Sequence, residues 1–320
     1  MFRAILAAGA IVLLTASGCA PSSTPAGPGT GSKVAVVTSF YPLQFVAERV
    51  GGDSVAVTML TQPGAEPHDL ELTSKQVASL STAGLVIYQK GFQPAVDKAV
   101  AEQKPKHALD VTTVVPLHQK GRDHDSLPAS PSTSTTHGDH DHDHKHEGAD
   151  PHSWLDPTTV ATYAKAVSQQ LSQVDPGHAA DYTKRAEALA AELNQLDKDF
   201  STGLSSCQRK VFITSHEAFH YLAERYGLEQ VAVAGLSPEN EPSPARVAEV
   251  QKIAKEHGVT TIFYETLVSP KVSEALAKDL GLKTDVLDPV EGLTDQSRGT
   301  TYTEVMRANL TALRTANGCQ

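Results

Sequence analysis

The first part of the chain alternates short apolar runs with segments of helical periodicity. Runs rich in β-branched residues have strand length at 33–38, 54–60 and 85–88, and residues 106–110 are a shorter fourth candidate. The helical segments between them cover residues 43–50, 74–80 and 94–103. Apolar runs separated by helices are typical of buried parallel strands in a βαβ succession. The pattern predicts a first α/β lobe.

A long amphipathic segment follows a helix predicted at 158–171. Its apolar residues recur every three or four positions, which places them on one stripe of one helix. They are Tyr182, Ala186, Leu189, Leu193, Leu196, Phe200 and Leu204. About 25 residues at 1.5 Å each span on the order of 40 Å, enough to run across two lobes. The spacing also allows a helix inside one lobe.

Strands and helices alternate again after this segment. Further strands are predicted at 211–214, 230–234, 260–264 and 283–287, and helices at 244–257 and 271–280. Ser243, Pro244 and Gly258 suit the N-cap, the first turn and the end of the first of these helices. We therefore expect an α/β fold of two (β/α) lobes with mostly parallel sheets joined by a long connecting helix. The lobes cover 33–175, with a polar insertion at 118–150, and 206–320, and the connecting helix covers 176–205.

The N-terminus has the features of a processed, lipid-anchored segment. Residues 1–18 read as a signal peptide, because Arg3 precedes an apolar run too short to span a bilayer. Small residues ending in Gly18-Cys19 resemble a lipobox, in which Cys19 becomes lipid-modified; cleavage elsewhere is the alternative. Residues 19–32, rich in Pro, Gly, Ser and Thr, then form a lipid-anchored flexible tether. The expected location is extracytoplasmic, on the outer face of the cell membrane.

Composition narrows the partners and predicts a disulfide. A formal net charge of −10 over 320 residues argues against a nucleic-acid partner.

The chain has 3 cysteines. If Cys19 carries lipid, Cys207 and Cys319 remain in an oxidising exterior, and we predict that they pair.

A histidine-rich tract inside the polar insertion suggests metal handling. Its histidines are His137, His140, His142, His144 and His146. Imidazole suits borderline divalent cations, Zn²⁺ above all, and such tracts usually signal metal contact. The alternative is a solvated linker whose histidines are incidental.

Four other residues are better placed to build a site. His68 lies in the loop after the second predicted strand, and His152 lies in the segment that follows the polar insertion. His216 follows a predicted strand after one residue, and Asp288 follows one at once. Ligands of α/β sheets bind beyond the carboxyl ends of strands. Two of the four belong to each predicted lobe, so a cleft between the lobes could gather three imidazoles and one carboxylate. Zinc in closed sites takes four such ligands.

A competing motif, His216-Glu217-x-x-His220, matches the pattern of zinc-dependent hydrolases. That motif must lie on a helix, with both histidines on one face. Here His216 follows a β-branched strand after one residue, which favours a strand end or a helix start instead. We keep the hydrolase as an alternative.

Several motifs taken together resemble the zinc-binding lipoproteins of bacterial ABC importers. They are residues 38–43 (TSFYPL), 67–72 (PHDLEL), the His/Asp-rich insertion, 150–156 (DPHSWLD), 215–219 (SHEAF) with Tyr221, and 287–289 (LDP). The resemblance covers nearly the whole mature chain. It implies a two-lobed binding protein with one buried metal between the lobes.

The resemblance also implies a ligand set and a function. His68, His152 and His216 would bind Zn²⁺, with Asp288 or a water as fourth ligand, and Glu66 and Glu265 compete with Asp288. The expected function is extracytoplasmic capture of Zn²⁺ by a monomer and delivery to an ABC permease, without catalysis. The histidine-rich tract would bind further Zn²⁺ more weakly. A metal-binding surface adhesin or storage lipoprotein is the rival from another class.

Overall fold

The computed structural model describes residues 33–118 and 149–320. The signal, Cys19, the tether and the five histidines of the histidine-rich tract lie outside these residues. In the described part of the chain, no helix is both long and apolar enough to cross a membrane.

The first sheet is parallel, with strand order β2-β1-β3-β4. Its strands are β1 Val34–Thr38, β2 Val55–Met59, β3 Leu85–Tyr88 and β4 Ala108–Asp110. The helices between them are α1 Tyr41–Gly51, α2 Ser74–Thr82 and α3 Pro94–Gln103. A capping box formed by Thr73 and Gln76 starts α2. The predicted βαβ succession is confirmed.

Two long helices follow, α4 Pro157–Val174 and α5 Ala179–Leu204. Every residue of the predicted apolar stripe of α5 is buried. Helix α5 packs against α1 and α4 from the N-terminal half of the chain. It also packs against the C-terminal helix α9 Tyr302–Asn317, so it connects the N-terminal and C-terminal halves. Residues Lys33–Gln320 form one compact unit, so the exact lobe boundaries stay predictions.

The second sheet repeats the order of the first, as β6-β5-β7-β8, with all strands parallel. The strands are β5 Val211–Thr214, β6 Glu229–Ala232, β7 Thr261–Tyr264 and β8 Lys283–Val286. The remaining helices are α6 His220–Tyr226, α7 Pro244–Glu256 and α8 Lys271–Leu280. Ser243 caps α7 as predicted, since its side chain accepts from the N–H of Arg246. Together the two sheets confirm the predicted fold class.

Two further features join distant parts of this chain. Cys207 and Cys319 form the predicted disulfide, which ties the end of the chain, two residues after α9, to the segment before β5. Trp154 is fully buried, and its indole N–H donates to the carbonyl of Pro289 at 2.7 Å. The hydroxyl of Tyr302 in turn donates to the carbonyl of Trp154 at 2.7 Å. The segment that contains His152 is thereby fixed against the loop after β8.

Candidate metal centre

Three imidazoles and one carboxylate meet beyond the carboxyl ends of the strands. They belong to His68 in the loop after β2, His152 before α4, His216 after β5 and Glu291 after β8, and their donor atoms lie within 4.8 Å of one another. His152, His216 and Glu291 are at most 1% exposed. The side chain of His68 is 10% exposed. The sequence-predicted histidines therefore come together in one buried cluster.

The separations fit a tetrahedral ion. Oε1 of Glu291 lies 3.3 Å from Nε2 of His68, 3.1 Å from that of His152 and 3.6 Å from that of His216. The Nε2 atoms of His68 and His152 are 3.3 Å apart. Zinc binds imidazole nitrogen at about 2.0–2.1 Å, which makes the edge of a ligand tetrahedron roughly 3.3–3.4 Å. The donor atoms are spaced to share one small cation at their centre.

Two carboxylates orient the imidazoles. Nδ1 of His152 lies 2.8 Å from Oδ1 of Asp150, and Nδ1 of His216 lies 2.7 Å from Oε1 of Glu265. The hydroxyl of Ser215 also donates to Glu265, at 2.8 Å. A carboxylate beside Nδ1 holds the proton there and leaves the Nε2 lone pair for a metal. Nε2 of His216 is buried and has no hydrogen-bond partner in the described part of the chain.

The charges in the cluster attract a cation. Burial raises the pKa of Glu291, but the imidazoles of His68, His152 and His216 outweigh it and hold that pKa well below its usual value. Burial lowers the pKa of His216, but Glu265 and Glu291 outweigh it and raise that pKa well above its usual value. The pKa of His152 is raised in the same way by Asp150 and Glu291 against the effect of burial. Protons and a metal ion therefore compete for the same nitrogens.

Two further glutamates lie beside the cluster and form a group of three carboxylates with Glu291. Oxygens of Glu66, Glu265 and Glu291 lie within 4.8 Å of one another. Burial and the charge of Glu291 raise the pKa of Glu66 to about 8. Glu66 also accepts from the backbone N–H of His68 at 2.9 Å, which helps to set the loop that carries this histidine. Neither Glu66 nor Glu265 belongs to the tetrahedral group.

The structure does not bring Asp288 into the group, and Glu291 stands there instead. The carboxylate of Asp288 accepts from the N–H of Val290 at 2.8 Å and from the hydroxyls of Ser297 and Thr266 at 3.0 and 3.3 Å. Val290 has a φ of 59°, a conformation that β-branched residues rarely adopt and that costs on the order of 1–3 kcal/mol. Asp288 thus stabilises the turn that points Glu291 inward. The residue types around Val290 do not predict a positive φ at this position. For that reason the sequence analysis did not identify Glu291 as a ligand.

The H-E-x-x-H motif is divided between two places. His216 lies in the loop after β5 and faces the buried cluster, whereas α6 begins only at His220. The side chain of His220 is 31% exposed and lies near His118 and Glu224. The two histidines therefore do not share one face of a helix, as zinc-dependent hydrolases require.

Comparisons with known proteins identify the family of this chain. The family model described as the periplasmic zinc-uptake complex component A matches residues 36–316. The high-affinity zinc uptake system protein ZnuA of Bacillus subtilis is 38% identical over 95% of this chain and 94% of its own length. The zinc-binding lipoprotein AdcA of Streptococcus pneumoniae is 36% identical over 88% of this chain, which spans only 55% of that relative.

Solved structures share the fold. Zn(II)-bound AdcA of Streptococcus pneumoniae superposes with a TM-score of 0.72 at 34% identity, over 89% of this chain and 58% of that one. The laminin-binding adhesin Lmb of Streptococcus agalactiae superposes with a TM-score of 0.74 at 33% identity, over 88% of this chain and 98% of that one. Zinc-bound and adhesive relatives are thus both similar to this chain over most of its length.

Proposed function

The chain belongs to the family of periplasmic zinc-uptake components, and on this premise we propose that it captures Zn²⁺ and delivers it to an ABC permease. The observation that carries the proposal is the buried group of three Nε2 atoms and one carboxylate oxygen, His68, His152, His216 and Glu291, at tetrahedral separations. The ion is the cargo of this site.

The ligand set supports zinc and argues for binding rather than catalysis. Three nitrogens and one oxygen favour zinc over manganese, which prefers more oxygen ligands. Four protein ligands close the coordination shell, whereas a catalytic zinc keeps one position open for water. The site therefore suits a protein that holds the ion and gives it up again.

The division of the ligands suggests how the ion is released. His68 and His152 come from the first half of the chain, and His216 and Glu291 come from the second. A separation of the halves would remove two ligands at once and would open the shell to water. Contact with a permease that favours the separated form would then lower the affinity by population shift.

Metal content and competition titration test the capture step. We expect one tightly bound Zn²⁺ per wild-type chain and its loss in His216→Ala. His178→Ala is the matched control, because His178 is half-exposed at the start of α5 and pairs with Asp175 rather than with the cluster. Tight binding that survives in His216→Ala would refute the proposed site.

Delivery needs a test in cells. A strain that lacks the chain should grow poorly under zinc limitation, and wild-type protein should restore growth and zinc uptake. The variant His216→Ala should be present at the same level and restore neither. If that variant restored growth and uptake, zinc binding at this site would not be needed for uptake, and the proposed delivery function would be refuted.

The N-terminus and the histidine-rich tract complete the proposal. We expect Cys19 to carry lipid, so Cys19→Ala should release the protein from the membrane. We expect the tract to bind additional Zn²⁺ more weakly, since imidazole is abundant there. Replacement of His137, His140, His142, His144 and His146 by asparagine should keep the tight site and remove weaker ones. Loss of the tight site on that change would contradict an accessory role.

A surface adhesin is the second candidate function. One similar structure, of Lmb from Streptococcus agalactiae, is described as a bifunctional protein with adhesin and metal transporting activity, at 33% identity and a TM-score of 0.73. Binding of the zinc-loaded chain to immobilised laminin tests the adhesive function. An absence of saturable binding would rule out laminin adhesion by this chain.

A further inference from the structure

A second group of side chains of the kinds that bind metal ions lies at the base of the polar insertion. It consists of His118, His220 and Glu224, whose donor atoms lie within 4.8 Å of one another. Nδ1 of His118 is 3.2 Å from Oε2 of Glu224, and Nε2 of His220 is 3.9 Å from the same oxygen. None of these residues belongs to the buried cluster.

Helix α6 carries two of the three side chains and packs against the third. His220 is the first residue of α6 and Glu224 lies one turn later, a spacing that puts both on one face of the helix. The ring of His118 stacks on Tyr221, with centroids 4.2 Å apart. The backbone N–H of His118 donates to the hydroxyl of Tyr221 at 2.8 Å. The third side chain is therefore fixed to the same helix, although it is distant in the sequence.

We propose that His118, His220 and Glu224 form a second, surface site for a borderline divalent cation such as Zn²⁺. Two nitrogens and one oxygen suit that class of ion. The side chains are 45%, 31% and 60% exposed, so small rotations can bring the separations to the roughly 3.3–3.4 Å that a tetrahedral ion requires. His118 and Glu224 also line a surface cavity of about 440 Å³, which leaves room for water as the remaining ligand.

Exposure sets the expected strength of this site. An ion with three protein ligands and water exchanges more readily than one enclosed by four, so the surface site is the weaker of the two. Tyr221 connects the sites, because its hydroxyl lies 3.2 Å from the carbonyl of Asp150, to which it donates. The carboxylate of Asp150 in turn orients His152. A chain of hydrogen bonds through Tyr221 and Asp150 therefore links the residues of the surface site to a ligand of the buried one.

Residue-specific histidine modification tests the proposal in the full chain. Diethyl pyrocarbonate acylates imidazoles that have a free lone pair, and mass spectrometry reports the rate at each histidine. With free Zn²⁺ about tenfold above the dissociation constant, mass action predicts that His118 and His220 react about tenfold more slowly. His257, which is exposed after α7, serves as the internal control and should react at an unchanged rate.

Variants test whether His118 and His220 are protected because they bind the same Zn²⁺ as Glu224. Glu224→Gln should remove the protection of both histidines, and His118→Asn should remove that of His220. Zinc bound only to the histidine-rich tract would leave the rates at His118 and His220 unchanged, and this result would overturn the proposal. Protection of His220 that persists in both variants would overturn it as well. His216→Asn should abolish the buried site and keep the surface protection, so the two sites fail independently.

Discussion

Replacement of Glu291 by glutamine distinguishes the two carboxylates that could complete the zinc site. Glu291 is 1% exposed, and its Oε1 lies 3.1–3.6 Å from the three Nε2 atoms. Glutamine keeps the size of the side chain and an oxygen that can approach the ion, but it removes the negative charge. The change therefore tests the charge of the ligand with little disturbance of packing.

The magnitude follows from burial. Removal of one partner from a buried charge pair costs about 3–5 kcal/mol. At 1.4 kcal/mol for each factor of ten, the dissociation constant for Zn²⁺ should rise by about two to three and a half orders of magnitude. Asp288→Asn is the matched control. Asparagine keeps an Oδ1 that can accept from the N–H of Val290, so the turn that presents Glu291 should persist and zinc affinity should stay within about threefold. The weakened hydrogen bonds from Ser297 and Thr266 should cost about 1–2 kcal/mol of folding free energy.

Competition against a chromophoric chelator measures both affinities, and urea unfolding of the metal-free proteins measures stability. The expected pattern is a large loss of affinity in Glu291→Gln and a loss of stability in Asp288→Asn. If Asp288→Asn weakened zinc binding more than Glu291→Gln did, our assignment of the fourth ligand would be refuted.

Four further predictions concern the effect of pH on zinc affinity, the effect of pH on stability, the orientation of His152 and the disulfide. Because the pKa of His152 and of His216 is raised above the ordinary value, bound Zn²⁺ must displace protons, and affinity measured by competition should fall steadily from about pH 8 to pH 6; a flat profile would contradict this. In the metal-free protein low pH is favourable instead, because the raised pKa of His216 means that its protonated form stabilises the fold. The difference in unfolding free energy between the wild type and His216→Asn should therefore be largest below about pH 6.5 and should shrink as the pH rises through the folded-state pKa. Asp150→Asn should weaken zinc binding about 10- to 100-fold at unchanged stoichiometry, and an unaltered affinity would show that the carboxylate does not orient the ring. Joint replacement of Cys207 and Cys319 by serine opens a loop of 112 residues and should lower the unfolding free energy by about 5 kcal/mol, with one tight zinc retained; a loss under about 1 kcal/mol would count against the loop-entropy argument.

Helices marked by apolar periodicity or by proline and glycine at their ends were predicted correctly from the sequence. The stripe on α5 runs from Tyr182 to Leu204 and is buried at every position. The predicted ends of α3 and α8 coincide with Pro94–Gln103 and Lys271–Leu280. Here proline and glycine mark the boundaries directly, because they restrict the backbone in known ways.

Sequence reasoning missed α9, although a signal was present. Thr301 caps this helix by accepting from the N–H of Glu304, and apolar residues such as Val305, Met306 and Leu313 recur at helical spacing. The short helix α6 was hidden for another reason. The H-E-x-x-H motif drew attention to His216 as a helix start, whereas the helix begins four residues later, at His220.

The site was predictable as far as it depends on strand ends. His68 and His216 were identified because side chains in the loops after strands gather at the carboxyl ends of the sheets. His152 was identified with them as a third imidazole in a loop and by the DPHSWLD motif of the family resemblance. Which carboxylate joins them depends on the turn at Val290, whose positive φ is imposed by its surroundings and not by its residue type. The surface site was beyond prediction, since 103 residues separate His118 from Tyr221, on which it packs.

Diffraction from zinc-loaded crystals at the zinc absorption edge would locate the bound ion. We expect the strongest anomalous peak about 2.0–2.2 Å from Nε2 of His68, His152 and His216 and from a carboxylate oxygen of Glu291. A peak outside these imidazoles, or a shell in which Asp288 takes the place of Glu291, would contradict this expectation.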